Sequence, residues 1–223
     1  RVELPPIPEP GERHIYLVDR PGVQSQIRVG HRSIRRDDPR YFISRVASGY
    51  FGGAFSSRLM ETIRVEKGLT YGASGGWSAQ RFAGEFGVRT FSKTESTAEA
   101  VKAIFAELER LRSEPPSEKE LTQTRSYFLG SFASTRETPQ EVAGQLWQIR
   151  LLGLPADYYE RLLAGISATT EQDCVKLAQE TVHPDRCVVV VVGPAADLLE
   201  ELKAIAPVTV VTPGGDDVSS EPE

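Results

Sequence analysis

The chain has 223 residues, of which 39% are hydrophobic, and a formal net charge of −5. This length is sufficient for one well-buried domain or at most two small ones, and the apolar content excludes a globally disordered chain. The acidic balance supplies no positive excess for a nucleic-acid backbone, and no apolar run approaches the roughly 20 residues that cross a bilayer. We therefore expect a globular domain with no nucleic-acid partner and no membrane segment.

The two ends differ in composition from the middle of the chain. Residues 1–12 are proline-rich and aperiodic, which predicts an extended linker. Residues 213–223 are rich in Gly, Asp, Ser and Glu, which predicts a disordered tail. The folded domain is therefore predicted over residues 13–212. Because the first residue is Arg1 rather than Met, we expect the segment to be processed or excised from a longer protein.

Periodicity and turn residues predict the elements between these ends. The predicted strands cover residues 14–19, 23–30, 70–79, 83–90 and 186–193, with a possible edge strand over 208–212. The predicted helices cover residues 38–51, 56–67, 94–112, 139–151, 171–181 and 196–205, with one more after Ser117 and a short one after Pro155. Strands come in adjacent pairs and helices in a run. This order predicts an α+β fold with a largely antiparallel sheet packed with helices.

The histidines and cysteines of the chain lack the spacing of known metal-binding and redox motifs. The histidines are His14, His31 and His183, and their separations fit no zinc-binding helix, so we expect each of them in a loop or at the surface. Cys174 and Cys187 form no CxxC pair and are interpreted as two buried free thiols. The Gly52-Gly53 pair can bind an anion at a following helix or serve as a helix–helix hinge, and the hinge is favoured. The chain is thus expected to bind neither metal nor cofactor by itself.

One segment combines a helix, a glycine stop and a strand, and it carries the candidate site. Gly68 can adopt the left-handed conformation after the helix, with Leu69 folding back on Ile63. This places Arg64 in the last helical turn and Tyr71 at the start of the next strand. A guanidinium fork and a phenol together suit a peptide carbonyl, especially the oxyanion that forms when that carbonyl is attacked.

A purely structural interpretation of the same two residues is also possible. Arg64 is favoured near a helix C-terminus by the helix dipole alone. Tyr71 suits any half-buried strand. The residues by themselves therefore leave both interpretations open.

The chain resembles the C-terminal inactive domain of the pitrilysin/insulinase peptidases, the family that includes mitochondrial processing peptidase. The resemblance extends over most of the chain, and its most specific part is the segment around the two candidate residues. The matching pieces are residues 19–27 (DRPGVQSQI), 57–59 (SRL), 63–72 (IRVEKGLTYG), 116–121 (PSEKEL) and 188–193 (VVVVVG).

The resemblance implies a fold and a function. It implies half of a clam shell, like one half of mitochondrial processing peptidase, in which Arg64 and Tyr71 reach across to a peptide substrate near the metal. The zinc and its His-x-x-Glu-His helix belong to a homologous partner half, either in the same longer chain or in a separate subunit. The isolated chain is expected to be inactive. The alternatives are a non-catalytic scaffold, such as a core subunit of a respiratory complex, and a peptide-binding module of the same fold.

Overall fold

A computed structural model describes residues 11–216 of the chain, with the side chain of Ala133 excepted. Residues 1–10 of the predicted linker and 217–223 of the predicted tail therefore lie outside the described residues. Within this range the strands are β1 (His14–Asp19), β2 (Gln24–Ser33), β3 (Ala73–Ala79), β4 (Gly84–Lys93), β5 (Val188–Gly193) and β6 (Val208–Val211).

The six strands form a single sheet with the order β3-β4-β2-β5-β1-β6. The pairs β3–β4, β4–β2 and β2–β5 are antiparallel, whereas β5–β1 and β1–β6 are parallel. The valine-rich β5 lies in the interior of the sheet and β6 lies at its edge, as predicted. The α+β fold with a largely antiparallel sheet is confirmed.

Helices cover one face of this sheet. They are α1 (Tyr41–Ser48), α2 (Thr97–Ser113), α3 (Glu118–Ser134), α4 (Pro139–Leu152), α5 (Tyr158–Ala168), α6 (Glu171–Thr181) and α7 (Ala195–Lys203). Two π-helical segments complete the layer: α1 continues into Gly49–Gly53, and Met60–Glu66 follows. No helix among the described residues has the length and apolarity needed to cross a membrane.

The core lies between the helical layer and one face of the sheet. Along β2 and β4, alternate residues are buried, because successive side chains of a strand point to opposite faces. Ile27, Val29, Phe86 and Val88 face the helices. The opposite face of the sheet, which carries the exposed side chains of β2 and β4, remains open to solvent.

Helix starts follow the predicted signals at α3 and α6, but the prediction that the first helix begins at residue 38 is wrong: α1 begins at Tyr41, and the Asp38 carboxylate binds the N–H and guanidinium of Arg40. Ser117 and Glu120 form a reciprocal capping box at the start of α3. Thr170 caps α6 with Asp173 in the same way, and α6 has the predicted bounds. The two cysteines are free and buried, as expected, and burial raises the pKa of each thiol to about 12.

His31 contradicts the expectation of a loop or surface position. It lies in β2 with 7% of its surface exposed, because the strand extends three residues beyond the predicted Gly30. The Nε2 atom accepts a 3.0 Å hydrogen bond from the backbone N–H of His183, so the ring proton lies on Nδ1, which donates to the carbonyl of Arg32 at 2.6 Å. Burial lowers the pKa of His31, although the bond to Arg32 opposes this shift.

The lowered pKa of His31 predicts a loss of stability in mild acid. Below its unfolded value of 6.5, the unfolded chain takes up a proton that the folded chain resists, so stability falls with pH until the folded pKa is reached. The slope in this window reaches at most about 1.4 kcal/mol per pH unit for one proton.

Urea unfolding between pH 8 and pH 5 measures this slope. The variant His31→Gln keeps a hydrogen-bond acceptor but does not titrate, so its slope should be smaller than that of the wild type. Equal slopes for the two proteins would contradict the assignment.

Candidate functional site

The helix end before the candidate site is wider than an ordinary α-helical end. Gly68 has φ of +63°, as the left-handed prediction requires. Its N–H bonds the carbonyl of Arg64 at 3.2 Å, and the N–H of Leu69 bonds the carbonyl of Ile63 at 2.9 Å. Each bond spans one residue more than in the usual glycine-ended motif, because the last turn is π-helical. The predicted fold-back of Leu69 on Ile63 is thereby confirmed in a wider form.

Arg64 lies in the last turn of this π-helical segment and is half-buried. Its guanidinium carbon lies 4.6 Å from the centroid of the Phe55 ring, a ring that is itself 75% exposed. A cation held over an aromatic face keeps its in-plane N–H donors free for other partners. The guanidinium is therefore oriented at the surface and is not consumed by an ion pair within the described residues.

Tyr71 does not lie at the start of a strand, because β3 begins two residues later at Ala73. It lies at the tip of a short turn in which the hydroxyl of Thr70 bonds both the N–H and the carbonyl of Gly72, each at 3.1 Å. The hydroxyl of Thr90 on β4 also donates to the Gly72 carbonyl, at 2.8 Å. The hydroxyls of Thr70 and Thr90 thus fix the turn, while 78% of Tyr71 is exposed.

The structure leaves both predicted residues at the surface and neither one in the core. No hydrogen bond joins Arg64 to Tyr71 in residues 11–216, and the ring beneath Arg64 belongs to Phe55. The two side chains therefore do not consume each other's donors. Both are available to a third molecule, and the loop of Tyr71 follows directly on the helix end of Arg64.

Arg58 is the residue of this segment whose role the sequence did not reveal. Only 5% of its surface is exposed, and it bonds both carboxylate oxygens of Glu120 at 2.7 and 3.1 Å. It also donates to the carbonyls of Glu114 and Pro115. Burial disfavours the charged form of Glu120, but the bonds from Arg58 and Ser117 outweigh it and lower the pKa of Glu120 to about 2. Arg58 therefore anchors the candidate segment to the start of α3.

The described residues offer no metal site. No group of three or more His, Cys, Asp or Glu side chains in residues 11–216 is placed to hold a metal ion. His31 and His183 are neighbours, with ring centroids 5.5 Å apart, but the Nε2 of His31 is occupied by the backbone of His183. The arrangement of Arg64 and Tyr71 can donate hydrogen bonds to a substrate, and it supplies no nucleophile.

Comparisons with known proteins agree on one family. The model of the peptidase M16 inactive domain matches residues 1–128, more than half of the chain. Two curated relatives are the "Probable inactive metalloprotease YmfF" of Bacillus subtilis, 25% identical over 70% of this chain, and the "Non-peptidase homolog YmxG" of Helicobacter pylori, 31% identical over 55% of it. The alignments cover 36% and 28% of those two proteins, so the chain spans about a third of their length.

A solved structure extends this agreement to three dimensions. The peptidase M16 inactive domain from Pseudomonas fluorescens superimposes with a TM-score of 0.78 at 25% identity. The match covers 86% of this chain but 46% of that one. The similar fold therefore occupies one part of a chain about twice as long.

Proposed function

Because the chain belongs to the peptidase M16 inactive-domain family, we propose that it is the non-zinc half of a zinc metallopeptidase. In this proposal it helps to bind a peptide whose scissile bond is cleaved at a zinc site in a homologous partner half. That partner lies in the same longer chain or in a separate subunit. The length of the related chains supports the first arrangement, since this chain accounts for less than half of each.

The proposed contribution of this half is made by Arg64 and Tyr71. Their side chains donate hydrogen bonds to the carbonyl of the scissile peptide and to the oxyanion that develops on it. A preorganised donor is effective in this role because it pays no reorganisation cost when the charge appears. The proposal is supported by the fixed helix end and turn, which leave Tyr71 exposed and Arg64 half-buried at the surface.

The zinc of the partner half supplies an activated water in this proposal. The described part of this chain holds no cluster that could take its place. In this proposal, the partner half binds the zinc, and the present chain binds the carbonyl of the substrate.

Reconstitution of the two halves tests the proposal. The 223-residue chain alone should bind less than one zinc per chain by metal analysis and should cleave no peptide. The zinc-bearing half alone should be weakly active, and the mixture, or the full-length protein, should hydrolyse an unstructured peptide. One tightly bound zinc per isolated chain would contradict the division of roles.

A non-catalytic scaffold or peptide-binding module is the second candidate. The names of the two relatives, which call them inactive and a non-peptidase, favour it. Peptide binding without hydrolysis by the zinc-loaded assembly would select this alternative. Hydrolysis by that assembly would reject it.

A further inference from the structure

The open face of the sheet carries a groove of about 1100 Å³ that crosses β3, β4, β2 and β5. The strand register defines the rows of side chains that line it. One row runs across the strands through Ser74, Arg89, Arg28 and Val190. A neighbouring row runs through Gly76, Gly87, Gly30 and Val188.

The first row places two positive charges directly opposite each other. Arg28 and Arg89 are cross-strand partners on the exposed face. Arg28 donates to the carbonyls of Ile27 and Thr90, and Arg89 to the hydroxyl of Ser74. Neither forms an ion pair with a carboxylate among residues 11–216. Like charges in such a position destabilise a sheet, so this pair is unfavourable in the unbound chain.

The nearest acidic residue on the same strand does not neutralise the pair. Glu85 lies four positions before Arg89 on β4, roughly 13 Å away at the rise of an extended strand. It is placed across from Arg32, on the far side of the glycine row. The arginine pair therefore gives a local positive field to a chain whose net charge is −5.

The second row has no side chains across three strands. The side chain of Ser48 lies against Gly76, where a Cβ would come within 2.5 Å of the Ser48 hydroxyl, so bare backbone extends over Gly87 and Gly30, on strands about 4.8 Å apart. A Cβ on Gly30 would lie 2.8 Å from the Phe86 carbonyl oxygen, so the close approach of the two strands requires that glycine. A Cβ on Gly87 would meet nothing nearer than the Val29 carbonyl oxygen, at 3.5 Å. The fold itself thus does not require a glycine at this position, and glycine inside a strand often marks the close approach of another backbone.

We propose that this groove binds an extended peptide whose carboxylate pairs with Arg28 and Arg89 while its backbone lies over the glycine row. The charge complementarity of the arginine pair selects a carboxylate, because a guanidinium forms its strongest hydrogen bonds with carboxylate oxygens. The carboxylate belongs to an acidic side chain or to a C-terminus. This surface adds to the proposed function and does not depend on Arg64 or Tyr71.

Fluorescence anisotropy with labelled octapeptides on the 223-residue chain tests this proposal without any cleavage. The probes are Ala/Gly peptides with one central Glu and an amidated end, with a central Gln and an amidated end, and with a central Gln and a free C-terminal carboxylate. At least one carboxylate probe should bind about tenfold or more tightly than the neutral probe. The probe that does so identifies the source of the carboxylate.

Two variants and a control complete the experiment. The double variant Arg28→Gln/Arg89→Gln should abolish the preference for a carboxylate, whereas Arg20→Gln/Arg161→Gln, which removes two exposed charges elsewhere, should retain it. Gly87→Val should weaken binding of every probe while the thermal midpoint is unchanged or raised. Equal binding of all three probes to the wild type, or a preference that survives in the first double variant, would overturn the proposal.

Discussion

Replacing Tyr71 by Phe in the active two-half assembly should lower kcat about 10²–10³-fold, the typical effect of removing one donor to an oxyanion. Tyr71 is 78% exposed, and its turn is fixed by hydrogen bonds from the hydroxyls of Thr70 and Thr90 to the carbonyl of Gly72. Loss of the hydroxyl should therefore leave the fold intact. If the phenol acts mainly in the transition state, KM changes much less than kcat.

Arg64→Ala should have an effect of the same order. In the wild type, the guanidinium of Arg64 lies against the ring of Phe55. Phe55→Ala therefore tests whether this ring orients the guanidinium, and it should reduce turnover less than Arg64→Ala does. Steady-state kinetics on the assembled enzyme, with Arg161→Ala as a control at an exposed arginine, measure these effects. Unchanged kinetics in both Tyr71→Phe and Arg64→Ala would remove the pair from the mechanism.

Arg58→Met should destabilise the domain by about 3 kcal/mol, because it leaves a carboxylate without its partner at a mostly buried site. We expect the low end of the range for buried pairs, since the side chain of Glu120 is 26% exposed. The exposed pair of Arg161 and Asp157 is the matched control, and Arg161→Met should cost less than about 1 kcal/mol.

Urea unfolding at pH 7 measures both values. Adding Glu120→Gln to Arg58→Met should restore part of the loss, since no charge is then left unpaired. The pKa of Glu120 is lowered to about 2, so the bond stabilises the fold fully above its usual value of 4.5 and is lost as pH falls toward 2. Typical surface substitutions change the free energy of unfolding by up to about 0.5 kcal/mol. A smaller change than this for Arg58→Met would show that Arg58 does not anchor the segment.

Local signals predicted most of the elements but only some of their ends. Helix α6 has the predicted bounds because Thr170 and Asp173 satisfy the free N–H groups of its first turn, which is a property of four consecutive residues. The left-handed Gly68 was predictable for the same reason. Sheet order was not predictable in this way, because the pairing of β1 with β5 and β6 depends on residues more than 170 positions apart.

The errors have physical causes of two kinds. His31 continues the buried alternation of Ile27 and Val29, so the signal for its burial was present beyond the predicted strand end at Gly30. The π-helical turn before Gly68 has no comparable local signal. The early turn at Thr70 depends on a contact with Thr90 on another strand, and it moved Tyr71 from a strand to an exposed loop.

In the candidate site, too, some residues are predictable from the sequence and others only from the structure. The spacing of the segment and the family resemblance predict Arg64 and Tyr71 as the candidate residues. The support beneath them, the Phe55 ring and the buried Arg58 pair, became visible only when distant segments were brought together. Residue type and spacing thus indicate the candidate groups, and tertiary contacts show what positions them.

The affinity of a phosphinic peptide for the assembled enzyme tests the central claim most directly, because its tetrahedral phosphorus mimics the attacked carbonyl carbon. A residue that stabilises the transition state should affect the inhibition constant as strongly as it affects KM/kcat. We predict that Tyr71→Phe and Arg64→Ala weaken the inhibitor by about the factor by which they reduce kcat/KM, while affinity for the uncleaved substrate changes little. Inhibitor binding that is unchanged in both variants would contradict the account.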